Sequence, residues 1–230
     1  MILIICAIKP EAKPFLKVLE NTRKEKCGSI VVHHGTINGV AVMVVRCGVG
    51  LKRAARVTQS LIRNLDVSCI VMSGTAGGVE SNLCLGDTII SEEILYHDVM
   101  PKSLQRDEFF NENTSFKADE ALLRNIKKAI GTGHFSQAVH FGRITSGNKF
   151  VTGKRFNEVA EKYHPLCADM ETATVAHVCA INSIPFVAVR SITDTSEKSG
   201  ILNFYKNVTQ AAANSFAVVE RLLNELKEEE

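Results

Sequence analysis

The chain has no C-x-x-C pair, no H-x-x-x-H spacing, no surplus of either charge and no apolar run near the roughly 20 residues a membrane helix requires. Each absence removes a class of function. Seven cysteines, at positions 6, 27, 47, 69, 84, 167 and 179, make an odd count, and most lie inside apolar runs. That pattern points to buried thiols in a reducing cytoplasm, and away from a disulfide framework or a zinc site. The histidines likewise lack ligand spacing, and His33-His34 reads as partly exposed strand residues. With 27 basic and 25 acidic residues mixed along the chain, net charge +2, there is no electrostatic footprint for nucleic acid or an anionic membrane. The opening MILIICAI is short for a signal core and lacks a cationic lead-in, so it reads as a buried strand. No repeat, low-complexity tract or linker interrupts the sequence.

What remains is a chain of 230 residues, 45% hydrophobic, enough for one domain spanning 1–230 with a sizeable core. Strand one covers 2–8, and a helix follows from Pro10 to about Leu19, proline being well tolerated in a first turn. Charged residues 20–26 are expected to form a solvated loop. Two β-branched runs then flank Asn38-Gly39, a strong hairpin signal. Gly48-Val49-Gly50 leads into a helix through about Leu65, but a third glycine is missing and no acidic residue closes a following strand, which weakens any dinucleotide reading. Arg46, Lys52 and Arg53 beside that turn could bind an anion or simply solvate a helix start.

Strand 68–72 is expected to end in the loop Ser73 to Gly78, whose small residues let a ligand approach the backbone. Residues 79–85 form a loop, 88–95 a strand, 98–116 a polar surface excursion, 119–130 a helix and 138–144 a strand. Thr145–Val151 reads as another loop before a helix over 153–162. Cys167 to Glu197 reads as strand, helix, strand, a βαβ unit that would place Glu171 and Asp194 on one carboxyl edge of the sheet. A terminal amphipathic helix carries an apolar stripe from Val208 to Leu226. The expected fold class is α/β, a three-layer sandwich whose mixed central sheet is flanked by helices.

Three acidic residues follow buried strands: Glu11, Glu171 and Asp194. Each has an ordinary reading, since a glutamate in a first helical turn favours the macrodipole and an aspartate after a strand can cap a turn. Together, on an edge shared with glycine-containing loops, they suit breaking a glycosidic bond. One acid must protonate the leaving group while another carboxylate orients or deprotonates water at an oxocarbenium-like centre. The apolar run leading to Asp194 would raise its proton affinity by desolvation.

The motifs AIKPEAKPF, CGVG, SGTAGG, GDTIISEEILYHD, SGNKFV, ADMETATVAHV and VRSITDTS, in that order, make the chain resemble the purine nucleoside phosphorylase superfamily, and most closely its methylthioadenosine/S-adenosylhomocysteine nucleosidase branch. The resemblance implies hydrolysis of the adenine–ribose bond in a 5′-thio-substituted nucleoside with no metal or organic cofactor. It implies that Glu11 activates water and Asp194 acts as general acid toward purine N7. Met170 and Glu171 would hold the ribose, Phe150 would stack on the base, and the Val151 backbone would read the adenine edge. Thr75, Ala76 and Gly77 would line the base pocket, and Arg190 would orient nearby carboxylates or act directly. It further implies a homodimer. The chain departs from the family at Thr75, at Asn148, at ADMET and across 98–116, which lacks the pattern that helps form the 5′-substituent pocket in relatives. A phosphate-dependent phosphorylase is the near alternative and a non-catalytic nucleoside-binding protein the far one. The carboxylate of Glu11 disfavours phosphate, since two like charges about 4 Å apart repel by roughly 4 kcal/mol at an effective dielectric of 20.

Overall fold

The computed structural model describes residues 1–98, 114–132, 135–152, 154–195 and 200–228. Most of the excursion expected over 98–116 therefore lies outside the described residues; residues 98 and 114–116 are described, and Ser115–Lys117 forms a short strand.

The strands are β1 (Ile2–Cys6), β2 (Glu20–Cys27), β3 (Ile30–Ile37), β4 (Val40–Arg46), β5 (Cys69–Gly78), β6 (Thr88–Tyr96), β7 (Ser115–Lys117), β8 (Val139–Ser146), β9 (Cys167–Asp169) and β10 (Phe186–Thr195). The helices are α1 (Lys9–Val18), α2 (Leu51–Asn64), α3 (Glu120–Gly131), α4 (Lys154–Tyr163), α5 (Thr172–Ile181) and α6 (Ile201–Glu228). One mixed sheet runs β10-β6-β8-β9-β5-β1-β4-β3-β2, with β7 on β6, and a further pairing of β10 with β5 closes one end on itself.

Alternation along β1 sets the layers. Leu3 and Ile5 point to one face, where Val57 and Leu61 of α2 and Val175 and Cys179 of α5 cover them. Ile2 and Ile4 point to the other, beneath Phe15 of α1, Ile126 of α3 and Leu222 of α6. This is the expected sandwich. The stripe on α6 is core packing, with Val208, Ala212, Val219 and Leu222 all buried. At the hairpin tip Asn38 and Gly39 both take positive φ, 53° and 86°, as a tight two-residue turn between right-twisted strands requires.

Three expectations are corrected. Residues 20–26 are not a loop: β2 pairs with β3, and its side chains are nearly all exposed. A wet edge strand shows no alternation to read, and its charges guard the sheet edge against further pairing. Ser73 to Gly78 is not a loop either but the second half of β5, which continues through its glycines to pair with β10. Finally, β9 and β10 are not parallel neighbours. β5 lies between them, antiparallel to β9 and parallel to β10, so closure of the sheet rather than a shared carboxyl edge brings their ends together.

Candidate active site

Sheet closure sandwiches the end of β5 between two acidic segments. Gly77 pairs with Ala168 of β9 on one side and with Asp194 of β10 on the other. A cavity of about 370 Å³ opens here, within the range of small-molecule sites. Glu11, Thr75, Ala76, Gly77, Phe150, Val151, Met170 and Glu171 all line it, so eight of the residues singled out from sequence meet around one space, with buried Arg190 facing Glu11 and Glu171 from beside it. Asp194 is the exception. It sits inside β10, not after it, and its carboxylate lies behind the wall, where Oδ2 would be 3.5 Å from a Cβ placed on Gly77.

Glu11 comes from the first turn of α1, where its ordinary capping role and its place in the cavity coincide. Oε2 accepts from the main-chain N–H of Ala7 at 2.8 Å and Ile8 at 3.1 Å, satisfying donors that the helix start leaves orphaned. Oε1 accepts from the Thr75 N–H at 2.9 Å and the Thr75 hydroxyl at 2.8 Å. Gly74 makes this approach possible. A Cβ there would fall 2.6 Å from Glu11 Oε1 and closer still to Arg190 Nη1.

Glu171 occupies the N-cap of α5 without capping it, and its Oε1 instead accepts from the Gly50 N–H at 2.7 Å. Burial and then the nearby Asp169 carboxylate push the Glu171 carboxyl up to about 8, against the opposing pull of Arg190. Asp169 supplies the cap in its place, accepting from the Thr172 N–H at 3.1 Å. It also accepts from the hydroxyls of Ser146 and Thr172.

Arg190 is fully buried and pairs with Asp169 at 2.7 Å while donating to the Thr172 hydroxyl at 2.8 and 2.9 Å. Its Nη1 has no hydrogen-bond partner among the described residues. One guanidinium thus faces three buried carboxylates, those of Asp169, Glu11 and Glu171. Asp169 was missed as a site residue because a lone aspartate at a strand end gives no signal; only its register three residues before Thr172 marks it as the cap.

Asp194 Oδ1 accepts from the Thr193 hydroxyl at 2.8 Å, and Oδ2 has no partner among the described residues. Burial raises its carboxyl above the ordinary range, opposed by the Thr193 hydroxyl and the Gly200 N–H. Thr193 lines the cavity and joins the two. At the mouth, Phe150 and Phe204 stand edge to face with ring centres 6.1 Å apart, while Val49, Ile201 and Tyr205 are exposed for 47%, 62% and 70% of their surfaces. Among the described residues no group of three or more His, Cys, Asp or Glu side chains is arranged to hold a metal ion. Nor is any helix among them long and apolar enough to cross a membrane.

The family model of the phosphorylase superfamily matches residues 1–224. The chain is 32% identical to a 5′-methylthioadenosine/S-adenosylhomocysteine nucleosidase of Actinobacillus succinogenes, over 97% of this chain and 98% of that one. A nucleosidase of the same description from Colwellia psychrerythraea, solved in complex with adenine, superposes with a TM-score of 0.91 at 28% identity, covering 98% of this chain and 95% of that one. The corresponding protein from Neisseria meningitidis, in complex with methylthio-immucillin-A, gives 0.88 at 26% identity, covering 96% and 97%.

Proposed function

This chain belongs to the phosphorylase superfamily, in its methylthioadenosine/S-adenosylhomocysteine nucleosidase branch, and from that premise we propose how its own residues hydrolyse the bond between adenine and a 5′-thio-substituted ribose. The observation that carries the proposal is the buried Glu11 carboxylate, fixed by four donors on the wall of the cavity that Glu171 and Gly77 also line.

Three of those donors are main-chain N–H groups and cannot leave. The fourth, the Thr75 hydroxyl, holds Oε1 alongside them, and an incoming water donates to this carboxylate from the cavity and passes a proton to it. Arg190 offsets the negative charge gathered by Asp169, Glu11 and Glu171. Glu171 and the Met170 segment hold the ribose hydroxyls, and Phe150 stacks on the base while the Val151 backbone reads its edge. Asp194, whose proton affinity burial raises, gives a proton to N7 of the purine as the C1′–N9 bond breaks. The electron pair of that bond leaves with adenine, and the water oxygen bonds C1′. Asp194 must gain access past Gly77, since its carboxylate lies behind the cavity wall. Val49, Ile201, Phe204 and Tyr205 offer an apolar lining for the 5′-thioether.

Water is favoured over phosphate because phosphate would set a second anion directly against the Glu11 carboxylate. Adenine release from methylthioadenosine, S-adenosylhomocysteine, adenosine and inosine, each with and without phosphate, tests this. Release from the thio-substituted adenosines with no phosphate requirement is expected, and phosphate-dependent formation of a ribose 1-phosphate would reverse it.

The 230 residues form one domain in this reading, in a compartment that keeps the seven unpaired thiols reduced. The exposed apolar rim, with Leu202 at 76% alongside Ile201 and Tyr205, supports a homodimer that covers it. A mass near 25.2 kDa by light scattering at working concentration would contradict the dimer.

A further inference from the structure

A second cavity, of about 430 Å³, is separate from the catalytic chemistry. It opens off the carboxyl ends of the adjacent parallel strands β1 and β4, bounded by Ala7, Arg46, Cys47 and Gly48. From β1 the chain passes to α1 on one face of the sheet, and from β4 to α2 on the other. Neighbouring parallel strands whose connections leave to opposite faces create a crevice, the position where α/β sheets bind ligands. The walls are Ala12 and Leu16 of α1 and Arg53, Arg56 and Val57 of α2.

The charge in this crevice is of one sign. Arg46 projects from the end of β4, and Arg53 and Arg56, three residues apart, share one flank of α2. Arg53 folds back over the turn, so a Cβ on Gly48 would lie 3.1 Å from its Cδ and 3.4 Å from its Nη1. Among the described residues none of those lining the crevice is acidic and no carboxylate pairs with any of the three arginines. The neighbouring Glu25 is committed to Arg23 and His34, each at 3.1 Å. His33, also on the wall, is held below its ordinary range by burial and then by Lys24 and Arg46.

We propose that this crevice binds a small phosphate-bearing molecule, with Arg46, Arg53 and Arg56 gripping the phosphate and Ala12, Leu16, Ile30 and Val57 covering its organic part. Guanidinium forks match phosphate oxygens in geometry as well as charge, and three of them exceed what solvation of a helix start needs. The crevice adjoins the catalytic cavity without entering it. Ala7 lines both, its N–H bonds Glu11, and its carbonyl accepts from Gly48 at 3.0 Å. Two residues further on, Gly50 bonds Glu171. A molecule held against Gly48 therefore touches the segment that positions both glutamates.

The test is calorimetric titration of the full chain with inorganic pyrophosphate, comparing the wild type with an Arg53→Ala/Arg56→Ala double variant and with Lys149→Ala, which removes the cationic side chain lining the catalytic cavity. One-to-one binding with Kd below about 1 mM, weakened by salt, is expected for the wild type and for Lys149→Ala. The double variant, with far-UV circular dichroism and adenine release unchanged, should bind at least about tenfold more weakly. Absence of binding to the wild type, equal binding by the double variant, or loss confined to Lys149→Ala would each overturn the proposal.

Discussion

Thr75 gives Glu11 both of its donors at once, main-chain N–H and side-chain hydroxyl, at 2.9 and 2.8 Å on the same carboxylate oxygen. One residue of β5 thus ties the start of α1 to the strand that carries the cavity floor. Replacing Thr75 by valine keeps the shape and the N–H but deletes the hydroxyl. A hydrogen bond to a charged group is worth about 1.5–3 kcal/mol, so kcat for adenine release should fall about tenfold to a hundredfold. Thr75→Ser, which restores the hydroxyl, should recover most of it, and steady-state kinetics on the pair measures the difference.

Gly74 is required for space, not for backbone conformation. An added methyl would collide with both Glu11 and Arg190. Gly74→Ala should lose activity and about 1–3 kcal/mol of stability through overpacking. Gly131→Ala, where no described residue lies within 4 Å of the added carbon, should keep activity and lose no stability. Thermal melts and the adenine assay on the two variants provide the comparison.

Arg190 is the cation for a buried acidic cluster. Arg190→Met leaves Asp169, Glu11 and Glu171 without it, and breaking a buried pair in this way costs about 3–5 kcal/mol. Adding Asp169→Asn removes the direct partner and should return part of that loss. A double-mutant cycle by urea denaturation measures the coupling, and additive losses would contradict the assignment.

Stability of the protein should respond to pH through Glu171. Its carboxyl is pushed up from 4.5 to about 8, so between those values the unfolded chain has released a proton that the folded chain still holds. Stability from this group is therefore full below about pH 4.5 and is lost as pH rises through about 8. Relative to the wild type, Glu171→Gln should show a flatter decline in Tm from pH 5 to pH 8.5. Parallel curves would place the proton elsewhere.

Much of this was legible in advance, for physical reasons that particular residues show. The buried runs of β1 and β4 and the Asn38-Gly39 turn are local signals, and the structure keeps them. Glu20–Cys27 was misread because an edge strand wet on both sides carries no periodicity. The continuation of β5 through Ser73–Gly78 was missed because glycine signals a turn locally, while here it makes room for Glu11 and Arg190. The pairing of Asp169 with Arg190 and the closure of the sheet through β10 and β5 are long-range facts that no short window contains. Glu11 and Glu171 were found because an acidic residue just past a buried strand is a local pattern. Asp194 shared that pattern, yet it lies within its strand and behind Gly77, a depth that spacing cannot express.

The acid at the back of the site, Asp194, carries the proposed chemistry. Single-turnover adenine release from methylthioadenosine by Asp194→Asn, in phosphate-free buffer and with substrate binding measured separately, tests it most directly. A fall of about 10²–10⁴ in rate with affinity largely retained is predicted, as loss of a general acid requires. An undiminished rate would contradict it.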